Sequence, residues 1–294
     1  MSGVKVITRG KINISIDVLN KRDDGFHNVE MIMQTLDIKD YIYIKELDND
    51  IIKIDSDCVF IPCNEENLVY KAAQLIKKTY NIKKGLEIYI DKNIPVAAGM
   101  AGGSSNAAGV LKALDYMWSL NIEDQKLKEL GATLGSDIPF CMEGGAALAM
   151  NKGEKLKKVK SLDNIWVLIS KPSISISTPW VYKNLNLEDI KIRPNTNKIL
   201  NSLENNDIYE ISKEMVNVLE TVTIKECKDI DIIKNKMIEF GALNSMMTGS
   251  GPTVFGFFKN YKQAKDACLN LKKFYKHTLV TKTFSGGIEI ERWN

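Results

Sequence analysis

Between residues 11 and 18 the chain alternates without a break, with Ile12, Ile14, Ile16 and Val18 on one side and Lys11, Asn13, Ser15 and Asp17 on the other. A period of two predicts a strand with one face on the core. The polar face turns either to water or into a cleft, and alternation alone does not choose. Further β-like stretches cover 29–36, 41–45 and 51–54, separated from the first by the turn-rich run Asn20 to His27. A helical period then takes over. Leu68, Ala72, Leu75 and Ile76 predict a helix to about residue 79, opened by Asn64 as its cap. A strand over 86–90 leads into a loop of small residues, and Ala107, Leu111, Leu114 and Trp118 share one face of the helix that leaves it. A helix over 124–134 and a strand over 146–150 follow.

A polar, lysine-rich stretch over 151–164 marks a change of domain, giving expected units of 1–157 and 158–294. Beyond it lie a strongly apolar strand at 165–169 and a helix-like turn from Ser177 through Tyr182. Helices are predicted over 196–203, 207–219 and 230–240. A second glycine loop, 246–252, precedes a strand at 253–258, a helix at 261–274 and a strand at 278–284. Strands and helices interleaved in this order predict an α+β sandwich. No repeat or low-complexity tract interrupts the pattern.

Composition narrows the chemistry. With 294 residues and a net charge of +3, the chain is long enough for two cores and has no charge excess that calls for nucleic acid or a membrane surface. Its five cysteines, Cys58, Cys63, Cys141, Cys227 and Cys268, form no Cys-x-x-Cys pair and read as reduced thiols. No stretch approaches membrane-spanning length, so a cytoplasmic location is expected. The two histidines, His27 and His277, leave little for a Ser-His-Asp triad or a histidine metal site. Carboxylate, lysine and backbone groups are left to do any catalysis.

The loop of small residues runs Pro95, Val96, Ala97, Ala98, Gly99, Met100, Ala101, Gly102, Gly103, Ser104, Ser105. Between a strand and a helix, such a backbone is open to a ligand, and the unpaired N–H groups of the helix start attract anions. Ser104 or Ser105 is the expected cap. A tight turn that uses small residues only for packing would have the same composition. The segment matches neither a Walker loop nor a dinucleotide fingerprint. Asp137, in Gly135-Ser136-Asp137-Ile138-Pro139-Phe140, lies where Pro139 is expected to block helix continuation. It reads either as a turn residue bonding its own backbone or as a partly buried acid or base. Phe26 beside His27 suits stacking on a planar ring with a hydrogen bond at its edge, or a hydrophobic cap over the core.

Taken in order, Gly10-Lys11-Ile12-Asn13, Arg22 to His27, Pro95 to Ala108 and Gly249-Ser250-Gly251 resemble the motif regions of the GHMP small-molecule kinases. The resemblance extends from Lys11 to the last strand. The Asp24-Gly25-Phe26-His27 run, Gly135 to Phe140 and Ser177-Thr178-Pro179 followed by Tyr182 are similar to the branch that phosphorylates a cytidine-diphosphate-linked methylerythritol on its 2-hydroxyl in isoprenoid precursor synthesis.

That resemblance implies a two-domain fold, a ribosomal-protein-S5-domain-2-like ATP-binding unit followed by a ferredoxin-like substrate unit. It implies ATP as co-substrate with Mg²⁺, the latter bound through few dedicated protein ligands. Pro95 to Ser105 would wrap the ATP phosphates, while Lys11 and Asp137 would flank the reacting hydroxyl. Phe26 and Tyr182 would sandwich the cytosine, and His27 would bond its edge. Asn13 and Thr178 would hold the substrate, and Gly249, Ser250 and Gly251 would shape the floor. A small-molecule partner and a monomer or weak homodimer are implied, with no nucleic acid or membrane involved. The family loop usually reads Gly-Leu-Gly-Gly-Gly-Ser-Ser; here Met100 replaces the leucine and Ala101 the next glycine. Ala101 fits only with a negative φ or room for a methyl group. Another kinase of the family, acting on a mevalonate- or homoserine-type alcohol, lacks the need for a cytosine sandwich. A non-catalytic nucleotide-binding module lacks the need for both Lys11 and Asp137.

Overall fold

Two long strands form the backbone of the molecule, in a computed structural model that describes residues 3–293. Strand β1 (Gly3–Lys21) pairs antiparallel with β2 (His27–Leu47), each far longer than the alternating stretches predicted. The alternation is broken by bulges between Arg9 and Lys11, Asn13 and Ser15, and Val18 and Asn20. A bulge adds a residue and bends the strand; the alternating stretch 11–18 runs across the second of them.

The other elements follow in order: β3 (Ile52–Ser56), α1 (Leu68–Thr79), β4 (Gly85–Asp91), α2 (Gly102–Trp118), α3 (Asp124–Leu134), α4 (Ile138–Glu143), β5 (Ala146–Asn151) and β6 (Lys155–Val159). Next come β7 (Trp166–Lys171), α5 (Thr178–Asn184), a short 3₁₀ turn (Leu187–Asp189), α6 (Thr196–Glu204), α7 (Ile208–Glu214), α8 (Glu220–Glu226) and α9 (Lys228–Glu239). The chain closes with β8 (Asn244–Met247), β9 (Val254–Phe258), α10 (Tyr261–Leu271), β10 (His277–Lys282) and β11 (Glu289–Trp293).

The first sheet has seven strands, ordered β11-β1-β2-β4-β3, with β5 also on β2 and β6 on β5. Only β3 and β4 run parallel. The second sheet is ordered β10-β7-β9-β8, which places its fourth strand beside its first, as a ferredoxin-like sandwich does. The expected boundary at 157/158 falls inside β6, which still belongs to the first sheet. The last strand, β11, returns to that sheet and pairs with β1. Neither short strand was expected from the sequence.

Three further differences have local causes. Pro139 does not merely end a helix. It sits in the first turn of α4, where its missing N–H costs nothing. The helix predicted over 207–219 stops at Glu214, and Val216 and Val218 instead bond the backbone of Ile16 across the two halves. The first helix is capped by Asn67, whose side chain accepts from the Val69 N–H, rather than by Asn64. Apolar packing of α1 and α2 on the first sheet buries Ile76, Leu111 and Leu114 completely.

Candidate active site

The bulges that break β1 are what bind it to the loops around it. At the first bulge, Ser105 takes up the freed strand groups: its Oγ accepts from the Arg9 N–H at 3.1 Å and donates to the Arg9 carbonyl at 2.6 Å. Ser105 is therefore a clasp between α2 and β1, not the helix cap. The Lys11 N–H donates to the Met100 carbonyl at 3.1 Å. At the second bulge, the Asn13 N–H donates to Thr248 Oγ1 at 3.0 Å. One strand thus holds both glycine loops.

Lys11 Nζ, 5% exposed, donates to Asn13 Oδ1 at 2.8 Å and to the Gly99 carbonyl at 2.9 Å, and lies 3.9 Å from Asp137 Oδ2. Burying an ammonium is costly unless it is paired and hydrogen-bonded, and these three oxygens fix its position. Asn13 Oδ1 also accepts from the Gly249 N–H at 3.1 Å, while its amide donates to Met31 Sδ. Asp137 stands at the N-cap of α4, with its side chain 29% exposed. It makes no capping bond, so the turn reading of this carboxylate is not realised. One turn along, Cys141 is buried against it, and burial followed by the Asp137 charge pushes the thiol well above its usual range. Cys141 is thereby kept protonated and inert.

The loop 95–101 enters α2 through two left-handed residues, Gly99 at φ +67° and Ala101 at φ +55°. Ala97 adopts the same region at φ +50°. Gly99 is required by space as well as by φ, because a Cβ there would lie 2.5 Å from the Thr248 carbonyl oxygen. Ala101 is the N-cap of α2 and has no side-chain capping bond. The negative φ that an alanine prefers is therefore not met, and the residue carries the penalty of a left-handed conformation, about 1–2 kcal/mol. The uncapped first turn, Gly102, Gly103 and Ser104, leaves its N–H groups turned out at the positive end of a 17-residue helix. Pro95, Val96 and Ala98 form the approach, with Ala98 and Met100 buried in the core that joins the two sheets.

Behind the loop lies a network that sequence reasoning missed. Asp40, fully buried, accepts from the Asn93 and Ile94 N–H groups at 2.7 and 2.8 Å, from Asn106 Nδ2 at 2.8 Å, and from Lys92 Nζ. Asn106 also donates to Thr8 Oγ1. These contacts anchor the strand-to-loop passage and the second turn of α2 to β2. Asp40 gave no signal because its partners are up to 66 residues away.

The aromatic end lies on other elements. Tyr182, on α5, packs against His27 with ring centroids 5.4 Å apart. Its phenol is pushed up to about 12 by burial and then by the Asp137 charge, which sets this ring in the field of the carboxylate. His27 is held below its usual value by burial and by the Lys21 charge. Phe26 is not against Tyr182. It is 59% exposed, with the Lys152 ammonium 4.9 Å from its ring centroid. Thr178 Oγ1 shares a 2.7 Å hydrogen bond with Ser250 Oγ, joining α5 to the second glycine loop. That loop is held by Asn217, whose amide donates to the Met247 and Gly249 carbonyls. In the loop, the Gly251 N–H donates back to the Thr248 carbonyl at 3.1 Å.

A buried lysine thus meets a carboxylate beside the open start of an uncapped helix, in a seven-stranded sheet joined to a ferredoxin-like one. The family models for the GHMP kinases N terminal domain and the GHMP kinases C terminal match residues 67–145 and 199–277, and the chain belongs to these kinases. Within them it belongs to the 4-diphosphocytidyl-2-C-methyl-D-erythritol kinases. It is 51% identical over 291 residues to that enzyme of Clostridioides difficile (strain 630), covering 99% of this chain and 98% of the relative. It is 48% identical over 285 residues to that of Alkaliphilus metalliredigens (strain QYMF), covering 97% and 98%. Among solved structures, a 4-(cytidine 5'-diphospho)-2C-methyl-D-erythritol kinase superposes with a TM-score of 0.82 at 26% identity, over 96% of this chain and 99% of that one. A homoserine kinase from Cytophaga hutchinsonii shares the fold, with a TM-score of 0.77 at 18% identity over 98% and 97% of the two chains. ATP is the co-substrate of such a kinase. Among the described residues no helix is long and apolar enough to cross a membrane.

Proposed function

We propose that the enzyme transfers the γ-phosphoryl group of ATP to the 2-hydroxyl of 4-diphosphocytidyl-2-C-methyl-D-erythritol, with Lys11 and Asp137 as the catalytic pair. The observation that carries this reading is the meeting of Lys11 Nζ, the Gly99 carbonyl at 2.9 Å and Asp137 at 3.9 Å beside the uncapped start of α2. Phosphoryl transfer needs in-line positioning and charge stabilisation more than covalent chemistry. As the acceptor oxygen bonds to the γ-phosphorus, the bond to the β–γ bridging oxygen breaks and ADP leaves. Asp137 takes the hydroxyl proton, and Lys11 stabilises the charge growing on the acceptor oxygen.

The backbone of Pro95 to Ser105 cradles the ATP phosphates in this reading. Mg²⁺ bound with these phosphates would supply charge neutralisation. Such an ion would be held mainly by phosphate oxygens and water. Asn13, Thr178, Gly249, Ser250 and Gly251 hold the acceptor, and Phe26 and Tyr182 stack on its cytosine. His27 already occupies one side of Tyr182 at contact distance. The pyrimidine therefore takes another face of Tyr182, with the imidazole at its edge. Residues before about 157 carry the nucleotide and, through Asn13, Phe26 and His27, part of the acceptor pocket, and those after it close the acceptor side. The enzyme acts in the cytoplasm on a small molecule, as a monomer or weak homodimer.

Asp137→Asn tests the catalytic assignment. General-base assistance is worth about 10²–10⁴-fold, so kcat falls by that much while ATP affinity, measured by calorimetry, stays near that of the wild type. Near-normal turnover in this variant contradicts the assignment.

A further inference from the structure

The segment between α7 and α8 carries a buried amide that no motif marks. On one side the segment is tied to β1: the Ile16 N–H donates to the Val216 carbonyl at 2.9 Å, and the Val218 N–H donates to the Ile16 carbonyl at 3.1 Å. Asn217, 3% exposed, lies between these two bonds and reaches the second glycine loop with its side chain. Its Nδ2 donates to the Met247 carbonyl at 2.8 Å and to the Gly249 carbonyl at 2.9 Å, while its Oδ1 accepts from the Leu219 N–H at 3.0 Å. A carboxamide has two N–H donors, and both are spent on this loop. At the start of α8, Glu220 adds a further bond, its Oε1 accepting from the Met247 N–H at 2.7 Å and its Oε2 from Lys234 Nζ.

The loop held in this way holds Lys11 in turn. The Gly249 N–H donates to Asn13 Oδ1 at 3.1 Å, the same oxygen that receives Lys11 Nζ at 2.8 Å. The second oxygen on Lys11, the Gly99 carbonyl, lies against the same loop residues. A Cβ on Gly249 would lie 3.1 Å from that carbonyl oxygen, and one on Gly99 would lie 2.5 Å from the Thr248 carbonyl oxygen. A shift of the 248–249 backbone therefore moves both neutral acceptors of the ammonium, and with them its 3.9 Å approach to Asp137. The hydrogen bonds form a closed circuit, from β1 at Ile16 through Asn217 and Gly249 and back to β1 at Asn13 and Lys11.

We propose that Asn217 is a positioning residue for the catalytic lysine: it fixes the 247–249 backbone, and through it the two neutral oxygens that aim Lys11 at Asp137 and the acceptor hydroxyl. The inference rests on the reading in which Lys11 is catalytic. It makes a residue from the second half of the chain a determinant of turnover rather than of binding. A misplacement of about 1 Å at a reacting group can cost about 100-fold in rate.

The test is turnover of 4-diphosphocytidyl-2-C-methyl-D-erythritol and ATP by N217S, N217D, K11M and the K11M/N217S double variant, with kcat referred to the ATP-binding sites counted by calorimetry. Serine and aspartate both keep an oxygen for the Leu219 N–H, and neither supplies the two donors that the loop takes. In N217S and N217D kcat should fall about 10- to 100-fold, with the KM of ATP and of the acceptor little changed. Counting binding sites separates this loss from a smaller folded fraction, and N217S, with no charge to bury, keeps the test open if N217D does not fold. In the K11M background N217S should add nothing. An unchanged kcat in N217S, whatever its KM, beside a large loss in K11M overturns the role of Asn217 and leaves Lys11 catalytic. An N217S loss that persists in full in K11M overturns it too, since Asn217 then acts by another route. Near-normal turnover in K11M removes the parent reading and this inference together.

Discussion

The two ends of the site are built in opposite ways. The proposed nucleotide end is one contiguous run, Pro95 to Ser105, set between a strand and a 17-residue helix and clasped to β1 through Ser105 and Lys11. The proposed acceptor end is assembled from the β1–β2 turn, the start of α5 and the 248–252 loop, and its outermost aromatic is exposed. Phosphates are alike in every ATP reaction, and a fixed cradle of N–H groups serves them. A specific alcohol has to be read at several points, which favours side chains brought in from separate segments. Lys11 and Asn13 lie at the junction, bonded to both glycine loops at once.

If the two ends are separate in function, breaking one should spare the other. Among effects on binding, the largest is expected at the acceptor end. Base–aromatic stacking is worth about 1–3 kcal/mol per base, so Phe26→Ala should raise the acceptor KM roughly 5- to 150-fold with little change in the ATP KM. Tyr182→Ala should do the same and also lower thermal stability, because Tyr182 packs on the main core whereas Phe26 does not. A matching rise in the ATP KM would show that the ends are not independent.

A smaller effect is expected with pH. Burial and the Lys21 charge hold His27 below its ordinary value, so the folded protein favours the neutral imidazole. The stability tied to this group is complete above the unfolded histidine value, about 6.5, and is lost as pH falls through the lower folded value. The acceptor KM should rise over that acidic window while the ATP KM stays flat, and His27→Gln should remove the dependence. A pH profile identical in that variant would detach His27 from the acceptor.

The smallest effect belongs to the nucleotide end. Ala101→Gly removes a left-handed alanine and should stabilise the protein to chemical denaturation by up to about 1–2 kcal/mol, offset in part by the greater freedom of glycine in the unfolded chain. The ATP KM should change little, since the backbone already holds the cradle's shape. Loss of stability in this variant would mean that the Ala101 methyl group packs usefully at the helix start.

What could be read from the chain follows the same division. The glycine loop was legible as small residues between a strand and a helix, whereas Lys11, Asn13 and Asp137 were singled out by the family resemblance, since alternation and a carboxylate after a helix end left their roles open. Their mutual geometry was not local: Asn13 bonds a threonine 235 residues away. Ser105 was expected as a cap and proved to be a clasp, because the bulge at Arg9 leaves strand groups that only a hydroxyl on α2 can reach. Phe26 and Tyr182 were expected to sandwich a cytosine; in the structure His27 lies on Tyr182, and Phe26 meets a lysine whose placement depends on a β-hairpin that the sequence did not reveal. Asp40 lay between two predicted strands, and only its burial among four donors marks it.

The central claim is that one site joins a phosphate cradle to a pocket for a cytidylated alcohol. ADP release should be followed with Mg·ATP and one acceptor at a time: 4-diphosphocytidyl-2-C-methyl-D-erythritol, the same alcohol without its cytidine, mevalonate and homoserine. The account predicts turnover with the cytidylated acceptor alone. Equal turnover with the uncytidylated alcohol, or turnover only with mevalonate or homoserine, would contradict it.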